Sequence, residues 1–262
     1  MFVSPGGRPL HVRIALGIEY DGTDFLGWQR LSHGSSVQGA VESALSFVAA
    51  HAVDVTCAGR TDAGVHARAQ VVHFDSDSTR TERGWTLGAN SQLPPTVAVL
   101  WAREVAEDFH ARYSARARTY RYELLNRPVR AALAAHYVGW FHLPLDVERM
   151  RAAAALFVGE HDFSAFRSSE CQAKSPVRTI DHFEITRQGE TIHFVVRANA
   201  FLHHMVRNLV GTLVYVGKGK HPPEWVTELL RSKDRTKSAP TFGPEGLYLE
   251  KIDYEAKWGL PA

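Results

Sequence analysis

Cys57-Ala58-Gly59-Arg60-Thr61-Asp62-Ala63-Gly64-Val65-His66-Ala67 is the most unusual stretch of this 262-residue chain. The runs on either side, Val53–Ala58 and Gln70–Asp75, have the apolar pattern of short strands, so Gly59–Ala67 reads as the loop between them. Gly59 and Gly64 open backbone conformations closed to other residues and leave room for another group to approach. Between them stand a guanidinium, a hydroxyl and a carboxylate in three consecutive residues: Arg60, Thr61 and Asp62. Spacing alone leaves two readings open. Asp62 either shapes a turn by bonding its own backbone or is a reactive carboxylate.

Outward from this loop the chain alternates strands and helices. Val12–Tyr20 has strand periodicity and ends at the turn Tyr20-Asp21-Gly22. Ser35-Ser36-Val37-Gln38 reads as a capping box opening a helix, with Val37, Val41, Ala44, Leu45 and Val48 on one face. A weaker helix near Thr81–Ala89 and a strand at Val97–Glu104 complete a first half. Val105–Ala111 is a polar, acidic joint before the strand-like run Tyr113–Leu125. In the second half, a helix runs from an Asp146 N-cap to about Phe157, with Gly159 as its terminator. Thr179–Thr186 and Thr191–Arg197 flank the hairpin signal Arg187-Gln188-Gly189-Glu190. Phe201–Val216 and Pro223–Ser232 read as helices and Leu247–Tyr254 as a final strand. This mixture predicts an α+β protein with largely antiparallel sheet.

Composition excludes several classes. A hydrophobic fraction of 45% with 22% charged residues suits a soluble globule and is too apolar for a disordered chain. Cys57 and Cys171 are too few for a disulfide framework or a Cys-rich zinc site. Met1–Pro9 lacks the apolar core of a signal peptide, and no apolar run approaches the ~18 residues of a membrane span, so a cytoplasmic protein is expected. The net charge is only +2, so a polyanionic partner must be argued from where the charge lies.

Two segments make that argument. Arg112–Arg130 holds Arg112, Arg116, Arg118, Arg121, Arg127 and Arg130 against the single acid Glu123, with Tyr113, Tyr120 and Tyr122 interleaved. On a strand, Arg118, Tyr120 and Tyr122 share one face, and cations beside aromatic rings suit an unstacked nucleotide. The bland reading is an edge strand with its tyrosines in the core. Thr191–Pro223 contains no acid but carries Arg197, Arg207, Lys218, Lys220 and four histidines. Together the segments favour RNA or DNA over a small phosphate compound. The 14 histidines invite a metal reading, for instance Asp62 with His66 and His73. No HExxH or CxxC spacing supports it, and His203 and His204, placed on a helix, would point about 100° apart. Gly217-Lys218-Gly219-Lys220 lacks the spacing of a P-loop.

The chain resembles tRNA pseudouridine synthases of the TruA type. The resemblance rests on Tyr20-Asp21-Gly22, Gly27-Trp28-Gln29-Arg30, the Ala58–Ala67 string, Asp108-Phe109-His110-Ala111-Arg112 and Tyr120-Arg121-Tyr122. It continues through Ala198–Asn208, which contains His203-His204-Met205-Val206-Arg207-Asn208, and Glu245-Gly246-Leu247-Tyr248-Leu249. It implies two α/β lobes, residues 1–108 with the Asp62 loop and 109–262 with the His203–Asn208 string. The lobes would share a continuous, largely antiparallel sheet with a basic cleft between them. It also implies a homodimer that converts uridine to pseudouridine at positions 38–40 of the tRNA anticodon stem-loop, with neither cofactor nor metal. Carried over by motif, Asp62 is the catalytic carboxylate, Tyr120 the aromatic beside the target base, and Arg207 the salt-bridge partner of Asp62. Leu247 becomes a pocket wall and Arg60 a residue that helps displace the base. Asp62 would then attack sugar or base, or remove the 2′ proton. Against this stand a non-catalytic RNA-binding protein and a metal-dependent nucleic-acid hydrolase.

Overall fold

The structure, a computed structural model, describes residues 11–261; the leading segment Met1–Pro9 lies outside them. Among the described residues five α-helices and ten strands follow in mixed order. The chain forms two compact units. The first takes the residues up to Thr61, Ala67–Arg116 and those from Ile252 onward; the second takes Asp62–His66 and Ala117–Lys251.

In the first unit, β1 (Val12–Tyr20) lies between β3 (His66–Ser76) and β4 (Val97–Val105), antiparallel to both, and the two-residue β2 (Thr56–Cys57) pairs with β3. Helix α1 (Val37–Ala49) buries Val37, Val41, Ala44 and Leu45, while α2 (Glu82–Asn90) buries Trp85 edge-on to Phe74. Each large apolar side chain so buried contributes about 1.5–3 kcal/mol. Ser36 is the N-cap of α1, accepting from the Gly39 N–H at 3.2 Å. The expected box is not closed, because with Ser36 as the cap Gln38 stands one position short of N3, and its Oε1 accepts from the Arg30 N–H at 3.1 Å.

In the second unit the strand order is β10-β5-β9-β8-β7, with β6 (Gly139–Phe141) parallel to β5. The ranges are β5 (Ala115–Asn126), β7 (Gly159–Asp162), β8 (Val177–Gln188), β9 (Thr191–Ala198) and β10 (Leu247–Tyr254). β8 and β9 form the predicted hairpin, closing at Gln188 opposite Thr191. Helix α3 (Val147–Ala155) starts at its Asp146 cap but stops two residues before Phe157. Gly159 therefore does not terminate it; this glycine opens β7, a strand the sequence reading did not contain.

Helix α4 (Met205–Gly217) is buried on almost every side, and only Arg207 and Tyr215 reach partial exposure. A helix apolar all round belongs in a core, so its one cation is held at a fixed place. α5 (Trp225–Ser232) follows. The sequence reading starts the helix at Phe201, four residues too early. His204 adopts left-handed backbone geometry with φ 61°, which bars helix through it, and α4 begins at the next residue.

Candidate functional site

The loop after β2 turns at Asp62, whose backbone carbonyl accepts from the Val65 N–H at 3.2 Å. Gly64 closes this turn with φ 74°, and a β-carbon there would lie 3.1 Å from the Pro244 side chain. A left-handed residue pressed against a proline ring favours glycine. His66 anchors the far side of the loop: its Nε2 lies 2.9 Å from the His136 carbonyl and its ring stacks on Tyr248 at 4.8 Å. His66 is thus committed to packing, and His73 lies in the first unit, where burial pushes its pKa down to about 4. Among the described residues, the ligand-atom cluster that includes Asp62 contains neither His66 nor His73.

Arg207, 145 positions from Asp62, donates from Nη1 to Asp62 Oδ2 at 3.1 Å. The expected pair is therefore formed. Its fork is divided, however, because Nε donates to the Phe242 carbonyl at 2.8 Å. The 240–242 segment lies close to α4 because Gly211 has no side chain; a β-carbon there would meet the Pro240 carbonyl at 2.4 Å. Next to Arg207, the fully buried Asn208 donates to the Phe166 carbonyl at 2.8 Å and accepts from Arg235 at 3.0 Å and Thr241 at 2.7 Å. One helix turn thus fixes both the guanidinium and the segment that braces it.

His203 and His204 complete the arrangement, and here the sequence expectation is wrong. Their rings lie 4.0 Å apart and both face Asp62: His203 Nε2 is 3.2 Å from Oδ1 and His204 Nε2 is 3.5 Å from Oδ2. The 100° divergence holds only for consecutive helical residues, and neither histidine is helical. No sequence signal marks this start, since Leu202-His203-His204 offers none of the usual N-cap residues.

Burial works to raise the Asp62 pKa, but the His203 hydrogen bond outweighs it together with the charges of His204, His203 and Arg207, and the carboxyl is held below its usual range. His203 is pushed up, chiefly by its hydrogen bond to Asp62, while burial pushes His204 down. The site therefore gathers a carboxylate biased toward its ionised form, one imidazole biased toward protonation, one biased toward the neutral form, and a guanidinium.

The other expected residues stand in different environments. Tyr120 stands in β5 only 8% exposed, its ring edge-on to Phe201 at 5.0 Å. Leu247 is the buried first residue of β10, its N–H donating to the Pro244 carbonyl at 2.9 Å. Arg60 belongs to the first unit, is exposed, and makes no hydrogen bond or ion pair among the described residues.

The arginine-rich run proves to be largely committed within the protein. Arg118, Tyr120 and Tyr122 do share a face, but it is buried, and Arg118 donates to the Asn199 carbonyl at 2.9 Å. Arg121 pairs with Glu123 at 3.0 Å and with Glu250 at 3.4 Å; Arg127 pairs with Glu190 at 3.0 Å, and Arg116 with Glu255. The acids missing from the local sequence come from elsewhere in the chain. In the acid-free segment Arg197 pairs with Asp181, whereas Lys218 and Lys220 lie over the Tyr215 ring at 3.8 and 4.5 Å and form no ion pair among the described residues.

Comparison with known proteins follows the same residues. A family model described as tRNA pseudouridine synthase matches residues 17–114 and 153–255. The tRNA pseudouridine synthase A of Dechloromonas aromatica (strain RCB) is 58% identical over 250 residues, covering 95% of each chain. That of Burkholderia mallei (strain SAVP1) is 56% identical, covering 95% of this chain and 93% of its own, and that of Methylobacillus flagellatus is 54% identical, covering 95% and 96%.

Proposed function

Since the chain belongs to the tRNA pseudouridine synthase family, we propose that it isomerises uridine to pseudouridine in the anticodon stem-loop of tRNA, at positions 38–40, with Asp62 as the catalytic carboxylate. The observation that carries this reading is the grip on Asp62, which keeps a mostly buried carboxylate ionised. The reaction breaks the bond from ribose C1′ to uracil N1, forms one from C1′ to C5, and moves a proton from C5 to N1. Uracil can leave as a stabilised anion, and no water need be activated. One carboxylate then does what a glycosidase divides between two. It acts as nucleophile on sugar or base, or as the base that removes the 2′ proton.

In this reading Arg207 keeps Asp62 charged and oriented. Tyr120 lies against the target base, Leu247 walls its pocket, and the exposed Arg60 helps displace it from the stack. Taking a base out of its stack costs a few kcal/mol, which aromatic contact offsets at about 1–3 kcal/mol per base. The proposal includes a homodimer acting in the cytoplasm. Among the described residues no helix is long and apolar enough to cross a membrane.

The test is to incubate an unmodified tRNA transcript with catalytic amounts of EDTA-treated protein and map pseudouridine by position. Product at 38–40 is expected from the wild type, with none from Asp62→Asn. Binding without product would favour a non-catalytic RNA-binding protein. Strand cleavage that EDTA abolishes and Zn²⁺ restores would favour a hydrolase.

A further inference from the structure

Asp62, His203 and His204 do more than hold one another's charge. Each offers a ligand atom, and the three atoms lie within 4.8 Å of one another. Two imidazoles and a carboxylate are a donor set that zinc accepts, with metal–ligand distances of about 2.0–2.2 Å, so a tetrahedral site has edges near 3.4 Å. His203 Nε2 lies 3.2 Å from Asp62 Oδ1 and His204 Nε2 lies 3.5 Å from Oδ2, so each imidazole faces one oxygen of the same carboxylate at a separation near that edge. An ion seated between His203 and Asp62 Oδ1 draws the His204 ring toward it, all three ligand atoms starting within 4.8 Å of one another.

The surroundings fit a metal site as well. Metal-bound carboxylates are usually held by a further hydrogen bond, and Arg207 supplies one to Asp62 at 3.1 Å. The His203 backbone is fixed at both ends: its N–H donates to Cys171 Sγ at 3.4 Å, and its carbonyl accepts from the Ser168 N–H at 3.1 Å. His204 caps α4, where its carbonyl accepts from the Asn208 N–H at 3.0 Å. Neither ring depends on a flexible loop end for its position.

We propose that these three residues form an inhibitory site for a divalent transition ion of the zinc class. Imidazole ligands select Zn²⁺, Co²⁺, Ni²⁺ and Cu²⁺ over Mg²⁺ and Ca²⁺, so the magnesium that accompanies folded tRNA does not occupy it. A carboxylate bonded to such an ion is withdrawn from uridine. This consequence rests on the proposed catalytic role of Asp62; the binding itself does not.

The experiment titrates Co²⁺ into EDTA-treated, dialysed full-length protein and follows the visible absorption of the four-coordinate ion. One equivalent binds, Zn²⁺ displaces it, and millimolar Mg²⁺ does not. His203→Gln and His204→Asn each weaken binding at least tenfold; asparagine is chosen because it tolerates the left-handed backbone. Circular dichroism checks that the variants fold, and X-ray absorption on Zn²⁺-loaded wild type counts two imidazoles without relying on any variant. Isomerisation by the wild type falls in step with Zn²⁺ occupancy, and EDTA restores it. No saturable Co²⁺ band, equal binding in both folded variants, or an unchanged rate at full occupancy overturns the proposal. A metal-free protein that binds Co²⁺ as described yet makes no pseudouridine overturns the proposed function and leaves the site.

Discussion

Arg207 holds Asp62 with one arm and the Phe242 carbonyl with another. A lysine ammonium can satisfy one of these groups but lacks the planar fork that spans both. Arg207→Lys should therefore lose single-turnover rate, by about tenfold or more for a lost charge-assisted bond of about 1.5–3 kcal/mol, while tRNA affinity changes little. In a cycle with Asp62→Asn the losses should be strongly non-additive; additive losses, or a defect confined to affinity, refute the pairing. The protonation of Asp62 makes a second prediction. Its pKa is depressed, so the ionised form persists as pH falls and is lost only below the ordinary carboxylate range. His203→Gln removes the main contribution opposing burial, and the acid limb of the rate profile should move to higher pH; an unmoved limb excludes that role for His203. Tyr120 offers a ring and a hydroxyl. If the ring carries base contact, Tyr120→Phe should keep more activity than Tyr120→Ala, and equal damage would make the phenol the working group.

Helix α4 shows what could be read in advance and what could not. Its apolar periodicity was legible, its end was read at Val216 one residue before the observed Gly217, and the Asp62–Arg207 pair followed from motif resemblance. The histidines were not legible, because their placement depends on one left-handed residue, His204, that no capping residue announces. The Arg112–Arg130 run was misleading for a related reason. Local sequence shows one acid, but strand pairing and loops bring Glu190, Glu250 and Glu255 to it. Tertiary structure supplies partners that a window of sequence cannot contain. At this scale Asn208 is the most exposed to test. Asn208→Ala leaves the Phe166 carbonyl without its donor and the Thr241 hydroxyl without its acceptor, while Arg235 loses one of four acceptors, at about 1–3 kcal/mol for each buried group left unpaired. Thermal melting should show a loss of several degrees, and turnover should fall with it, because the braced 240–242 segment loosens. An unchanged melting temperature would mean that the network is dispensable.

For the molecule as a whole, a net charge of +2 with Arg121, Arg127 and Arg197 committed to ion pairs means that electrostatic attraction to RNA rests on where the other cations lie. Lys218 and Lys220, beyond the end of α4, are available for it. Affinity for tRNA should fall with rising salt, and Lys218→Ala with Lys220→Ala should flatten the log–log slope by about one for each phosphate no longer neutralised. A slope identical to wild type would place the phosphates elsewhere. The division of the chain has a different outcome, one of time. Asp62–His66 belongs to the second unit although the residues on both sides belong to the first. During synthesis at about 5–20 residues per second, Arg207 leaves the ribosome on the order of 7–30 s after Asp62, which precedes it by 145 positions. Throughout that interval the nascent chain carries the carboxylate without the guanidinium that orients it. A message broken before codon 207 therefore yields a polypeptide that carries Asp62 without Arg207 and without the Pro244 and Tyr248 that brace its loop, so faulty translation releases no chain with the proposed catalytic grip.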